Sequence, residues 1–384
     1  MRLGLLPALG GGIRELARSG QVSRLVDGYL RRYVEAFDEV VYFSYLSESL
    51  DEFTTDAAIR KGVRVIVPPG PLARGQWARR MVDEQGEELR RCDVLRIFQV
   101  TGATPLYWAA GWRRKLDVPF VTTYGFSYAA LSDSMVKKLI KQQVEKWALR
   151  NAAAVIATTE ALKAQVRAIA PKARVELIPN GVDTARFAPG GRRRAAVDPL
   201  RVLYVGRLSA EKNVATAVRA MASVRASASA APAVTLRVVG AGPLERALRE
   251  QAGESGAPDR LTFGGVVDQG DLPAEYAAAD AFVLPSLTEG HPKALIEAMS
   301  CGLPCVVSNR GGNLTLVAHE VTGLLFDPER PDQLAACLER LRDDPALAAR
   351  LGAAARGQAI ARYDLGALVA REIALLKDVS RSRR

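Results

Sequence analysis

Short apolar runs rich in Val, Ile and Leu alternate along the chain with longer segments whose apolar residues recur every three or four positions. The first kind predicts strands buried on both faces and the second amphipathic helices, and their alternation predicts parallel βαβ units. The expected strands of the first half are Arg2–Leu6, Val40–Ser44, Val63–Val67, Val94–Phe98, Pro119–Thr123, Ala154–Thr158 and Val175–Ile178. Those of the second half are Arg201–Val205, Thr235–Val239, Leu261–Phe263, Ala281–Leu284 and Cys305–Ser308. Between the two sets, the stretch from Ala188 to Pro199 is dense in Pro, Gly and Arg and reads as a linker. The pattern therefore predicts an α/β protein of two doubly wound, Rossmann-like domains, residues 1–188 and 189–361, followed by a mostly helical tail. Ligands are expected in the cleft where the strand C-termini of the two domains face each other. One helix, Ser132–Asn151, is expected to bury Val136, Leu139, Ile140, Val144 and Trp147 and to present Lys137, Lys138, Lys141 and Lys146 on another face.

Length and composition agree with this picture. A chain of 384 residues exceeds one ordinary core, and 48% hydrophobic with 25% charged residues is the balance of a globular protein rather than a disordered or fibrous one. No apolar run approaches the ~20 residues that span a bilayer. Arg2 followed by Leu3–Leu6 imitates a signal peptide, but Pro7 and Gly10–Gly12 interrupt the run, and it is read as a first strand. Four cysteines are too few for a disulfide scaffold at this length, so a reducing cytoplasm is the expected location. The formal charge of +11 is concentrated in residues 1–190, which hold 28 Lys and Arg against 20 Asp and Glu. Such an excess suits a phosphate-bearing ligand or the anionic inner face of a membrane. Nucleic acid is not an expected partner, because aromatics total only 6% and no recognition motif accompanies the charge.

The densest chemistry lies in Ser286–Pro304. It follows an expected buried strand, turns at Gly290 and Pro292 into a helix, and ends that helix at Gly302. Glu289 stands before the helix, and Glu297 is expected about two turns inside it. A helix N-terminus suits a phosphate, and a carboxylate farther along suits two neighbouring sugar hydroxyls. For two glutamates alone, the simpler reading is a residue that merely interacts with a helix start and a solvated surface charge.

The segment TEGHPKALIEAMSCGLPCVVS, with RGG at Arg310–Gly312 and VTGLLFDP at Val321–Pro328, resembles the nucleotide-sugar signature of the retaining glycosyltransferases of family four, which have the GT-B fold. PNGVD at Pro179–Asp183, VGRLSAEKN at Val205–Asn213 and VGAGP at Val239–Pro243 match in the same order. The resemblance covers nearly all of the second half and is looser in the first.

The resemblance implies Glu289, Arg207 and Lys212 as catalytic residues, the two cations stabilising the leaving diphosphate without a metal. It implies a donor site formed by Glu297, Gly206, Gly240, Gly242, Gly290, His291, Pro292, Lys293, Ala294 and Leu295. Gly11, Gly12 and Tyr124 are expected on the acceptor and sugar side of the cleft, Tyr124 standing where many family members carry a histidine. The final helix, about 362–384, is expected to cross back to the first domain. The implied substrates are a UDP- or GDP-linked sugar and a carbohydrate, lipid-linked or small-molecule acceptor, with no cofactor besides the donor. A nucleotide-sugar epimerase of the same fold, or a protein that binds the donor without turnover, remains an alternative.

Other chemistries find little support. No two aspartates stand two residues apart, so the Asp-x-Asp metal motif is missing, and only His291 and His319 are available for imidazole chemistry. Gly240-Ala-Gly242 fails as a dinucleotide fingerprint because Glu245 replaces the third glycine. Cys301 and Cys305 flank a Gly-Leu-Pro turn among apolar residues and are expected to be buried thiols.

Overall fold

The computed structural model describes all residues except 19–20, 71, 112–115, 126–134, 192–197, 226–233, 255–257 and 382–384, and except the side chains at 74, 136, 137 and 258. Half of the stretch expected as a linker, residues 192–197, lies outside the described residues. The chain divides into two compact units. One comprises Met1–Pro179 together with Gly366–Arg384, the other Asn180–Leu365.

The first unit holds seven parallel strands, β1 (Arg2–Leu6), β2 (Glu39–Phe43), β3 (Val63–Ile66), β4 (Val94–Ile97), β5 (Phe120–Tyr124), β6 (Ala154–Ala157) and β7 (Val175–Leu177). Their order in the sheet is β3-β2-β1-β4-β5-β6-β7. The order reverses between β1 and β4, which pair with Leu3 opposite Val94 and Leu6 opposite Ile97. Most strand residues are buried on both faces, as the unbroken apolar runs require. The helix Leu365–Arg381 carries the chain back into this unit. Its Glu372 accepts two hydrogen bonds from Arg96 of β4, at 2.6 and 3.0 Å, and one from the hydroxyl of Tyr33.

The second unit holds six parallel strands, β8 (Leu200–Val205), β9 (Val234–Val239), β10 (Leu261–Gly265), β11 (Ala281–Leu284), β12 (Cys305–Ser308) and β13 (Leu324–Phe326). Their order, β10-β9-β8-β11-β12-β13, reverses between β8 and β11. The edge strand β13 is absent from the sequence expectations. Its three residues, Leu-Leu-Phe, contain no β-branched side chain and are too few to show a period.

The helix Met135–Asn151 departs from its expected burial. Val144, Ala148 and Leu149 are buried, and Trp147 stacks on Phe120 with ring centroids 5.9 Å apart. Leu139 and Ile140 are instead 54% and 44% exposed, beside Met135 at 73%. Periodicity shows which face of a helix is apolar but not where along it the packing partner ends, and here the first buried residue among those described is Val144, one turn past Ile140. None of the described helices is long and apolar enough to cross a membrane.

Candidate functional site

In doubly wound sheets, ligands bind outside the strand C-termini where the strand order reverses. In the second unit those ends are Val205 of β8 and Leu284 of β11, and they carry Gly206, Arg207 and Lys212 on one side and Ser286 and Glu289 on the other. After β8 the chain makes a short 3-10 turn, Ala210–Lys212, closed by Asn213 in the left-handed region at φ 52°. Asn213 Nδ2 donates to the Pro285 and Pro328 carbonyls, each at 3.1 Å, and Leu287 N donates to the Glu211 carbonyl at 2.9 Å. These bonds fix the turn against the end of β11. Lys212 Nζ consequently lies 2.7 Å from Glu289 Oε1, which also accepts from Ser286 Oγ at 2.7 Å.

Glu289 is held from behind by buried polar groups. Asn313 Nδ2 donates to Ser308 Oγ at 2.9 Å, and Ser308 Oγ donates to the Ser286 carbonyl at 2.5 Å. All three residues are fully buried. The glycines of Arg310–Gly312 let this loop press on the backbone of Glu289 and Gly290. Gly311 adopts φ +51°, Gly312 N donates to the Glu289 carbonyl at 2.8 Å, and a Cβ on Gly312 would stand 1.8 Å from the Gly290 carbonyl oxygen.

The helix Lys293–Ser300 begins four residues after Glu289, and Pro292 at its N-cap supplies no side-chain cap. Its first turn, Lys293, Ala294 and Leu295, combines backbone N–H groups, the positive end of the helix dipole and a lysine, a combination suited to an anion. Asn180 Nδ2 donates to the His291 carbonyl at 2.9 Å, and the His291 ring meets Tyr363 edge-on at 5.4 Å. Glu297 lies one turn inside the helix rather than two, and is only 5% exposed. Its Oε2 accepts from the Tyr276 hydroxyl at 2.9 Å. Burial, then the neighbouring carboxylate, raises the Tyr276 pKa well above its ordinary value, so this hydroxyl remains a donor.

Arg207 is exposed. Its carbonyl accepts from the buried Tyr204 hydroxyl at 2.9 Å, which anchors the loop that carries it. Gly240 and Gly242 serve this same loop. Gly240 has φ +128°, and Cβ atoms at the two positions would stand 1.9 Å from the Gly206 carbonyl oxygen and 2.4 Å from that of Leu208. The close backbone approach that these glycines allow is to the Arg207 loop itself. Cys301 and Cys305 are buried thiols, and desolvation pushes the Cys301 pKa up to about 12.

In the first unit, Gly11 and Gly12 follow β1 at its own reversal point. The Gly11 carbonyl accepts from Tyr45 N at 3.2 Å. A Cβ on Gly12 would meet Glu48 Oε1 at 2.7 Å, and this buried carboxylate accepts from Ile13 N at 2.9 Å and Arg14 N at 2.8 Å. The helix start after the glycine loop is thus occupied by a carboxylate of the protein itself. The expectation that Tyr124 faces a sugar is corrected. Its ring lies in the core at 2% exposure, and its hydroxyl donates to Glu145, also buried, at 3.1 Å.

Tyr276, Ser286, Ser308, Asn313, Asn180 and Tyr204 are the supporting residues that sequence reasoning missed. Each is a common side chain in a strand, helix or loop, with nothing local to mark it as part of the site.

Two family models match the chain. That described as Glycosyltransferase Family 4 spans residues 22–186, and that described as Glycosyl transferases group 1 spans 192–358. The chain belongs to glycosyltransferase family 4. Glycogen synthase of Mycobacterium tuberculosis is 33% identical over 253 residues, 65% of this chain and 60% of the relative. The GDP-mannose-dependent alpha-(1-6)-phosphatidylinositol monomannoside mannosyltransferase of the same organism is 34% identical over 218 residues, 53% of this chain and 56% of the relative. Each alignment thus spans less than two thirds of the relative. Among solved structures, sucrose-phosphate synthase from Thermosynechococcus elongatus aligns over 100% of both chains with a TM-score of 0.75 at 23% identity. Anabaena HepE in complex with UDP aligns over 98% of this chain and 100% of its own, with a TM-score of 0.75 at 20% identity. The GT-B fold is shared with these glycosyltransferases.

Proposed function

We propose that this family 4 protein is a retaining, metal-independent glycosyltransferase that moves a sugar from a UDP- or GDP-linked donor to an acceptor hydroxyl. The observation that carries the reading is the meeting of Lys212 with Glu289, 2.7 Å apart at the strand reversal of the second unit, in a segment that runs directly into the helix start at Lys293. In this reading the helix N-terminus, Lys212 and Arg207 take the diphosphate, Glu297 the ribose and Glu289 the transferred sugar. Fixed cations and backbone N–H groups stabilise the charge that develops as the glycosidic bond breaks, the role a divalent metal fills elsewhere. With no side chain among the described residues assigned as a nucleophile, the leaving phosphate takes the acceptor proton on the face it departs from, which retains the anomeric configuration.

Anabaena HepE in complex with UDP and with UDP-glucose, and the GDP-mannose-dependent mycobacterial mannosyltransferase, support a nucleotide-sugar donor without choosing its base. Incubation with a panel of nucleotide sugars, with and without candidate acceptors, tests the reading. Acceptor-dependent release of nucleoside diphosphate supports it, whereas isomerised sugar or binding without turnover replaces it with an epimerase or a binding protein.

A cytoplasmic protein resting on an anionic membrane is the proposed setting. Met135, Leu139 and Ile140 are exposed on the helix that also carries Lys138 and Lys141, which pairs apolar surface with positive charge. Flotation with anionic liposomes at low salt checks this, and protein that stays at the bottom refutes it.

A further inference from the structure

We propose that the Lys212–Glu289 ion pair makes the donor site select sugar-bearing nucleoside diphosphates over the bare diphosphate product. The inference rests on the reading of the second unit as a nucleotide-sugar site and adds a thermodynamic role for the pair itself. In the free protein each member satisfies the other. Nζ and Oε1 are 2.7 Å apart, and the side chains are 24% and 8% exposed. The backbone of the Lys212 turn is fixed by Asn213 and Glu211, and Glu289 is fixed by Ser286 and by the Arg310–Gly312 loop, so an exchange of partners falls to the lysine side chain.

A diphosphate that takes Lys212 as its counter-ion removes the only cation bonded to Glu289 among the described residues, leaving a nearly buried carboxylate with Ser286 Oγ as its remaining side-chain donor. Such a loss costs free energy. When the diphosphate carries a sugar, the sugar hydroxyls donate to the vacated carboxylate and offset that loss. The bare product offers no such group. The same exchange therefore favours donor entry and product departure, with no conformational change beyond one lysine side chain.

Isothermal titration of the whole chain with UDP, UDP-glucose, GDP and GDP-mannose tests this in wild type, Glu289→Gln, Glu289→Asp, Lys212→Ala and the Lys212→Ala/Glu289→Gln double variant. Glu289→Gln is expected to bind the bare diphosphate about tenfold more tightly and to lose the preference for the sugar-bearing form. Glu289→Asp, which keeps the charge but withdraws it from Lys212, is expected to shift the bare diphosphate in the same direction. In the Lys212→Ala background, Glu289→Gln is expected to change diphosphate affinity by less than about twofold, because the coupling runs through the lysine. An unchanged or weaker affinity for the bare diphosphate in Glu289→Gln and Glu289→Asp overturns the proposal. So does a gain that persists without Lys212, since it reports only the removal of a negative charge near phosphate. If wild type binds none of the four nucleotides, the donor-site reading fails first and the inference falls with it.

Discussion

Replacing Glu372 by alanine removes the carboxylate that ties the last helix to the first sheet. Arg96 and Glu372 are each 4% exposed at the side chain, and their two hydrogen bonds measure 2.6 and 3.0 Å. Without Glu372 the guanidinium keeps Thr123 Oγ1 at 2.8 Å and the Ile97 carbonyl at 2.6 Å, both neutral, so the charge stays buried with no counter-ion bonded to it. Breaking a buried pair from one side costs about 3–5 kcal/mol. The Tyr33 hydroxyl also loses its acceptor. Because burial and Glu372 hold the Tyr33 pKa well above its ordinary value, that group is a protonated donor in need of a partner. The two losses share one residue and do not add in full. At roughly 2–4 °C per kcal/mol for a unit of this size, calorimetry should show the transition of the first unit falling by about 6–20 °C. Amide exchange across Leu365–Arg381 should accelerate with it. A double Arg96→Leu/Glu372→Leu variant should recover most of the loss, because it removes the buried charge as well as its partner. A shift under about 2 °C in Glu372→Ala, or a double variant less stable than it, would refute the reasoning.

Three further outcomes are expected. Tyr276→Phe deprives Glu297 of its hydroxyl donor, and donor KM should rise several-fold with kcat little changed; equal effects on both would assign Tyr276 to the chemistry instead. Tyr124→Phe should leave the ranking of hexose, 6-deoxyhexose and pentose donors unchanged while lowering stability by about 1–3 kcal/mol, since it withdraws a hydrogen bond from buried Glu145; a changed ranking contradicts the core placement. Gly312→Ala forces a Cβ toward the Gly290 carbonyl and should displace the Glu289 backbone, so kcat/KM should fall at least tenfold with the fold intact by circular dichroism.

Much of the fold was legible because parallel strands buried on both faces leave unbroken Val, Ile and Leu runs, and β1 to β12 were all expected close to their observed bounds. The edge strand Leu324–Phe326 was not, being too short for any period to show. Glu289, Lys212 and the start of the Lys293 helix were singled out from their spacing and the family resemblance, and the structure brings the first two into contact. That contact was not legible, since 77 residues separate the pair and only the β8–β11 neighbourhood closes the gap. Arg96 went unnoticed for the same reason. In the run Val-Leu-Arg-Ile its charge marks an exception, but nothing local names a partner 276 residues away. Tyr124 shows the opposite error. A motif position suggested a ligand contact, whereas side-chain direction depends on packing that an alignment does not contain.

The most direct test of the central claim is the rate of nucleoside diphosphate release from UDP-glucose and GDP-mannose, with a panel of carbohydrate and lipid acceptors, in saturating EDTA. Fixed cations at the strand reversal predict acceptor-dependent release that survives the chelator in wild type and falls by about 10²–10³ in Lys212→Ala. Release that requires added Mg²⁺ or Mn²⁺, or a Lys212→Ala rate equal to wild type, would contradict it.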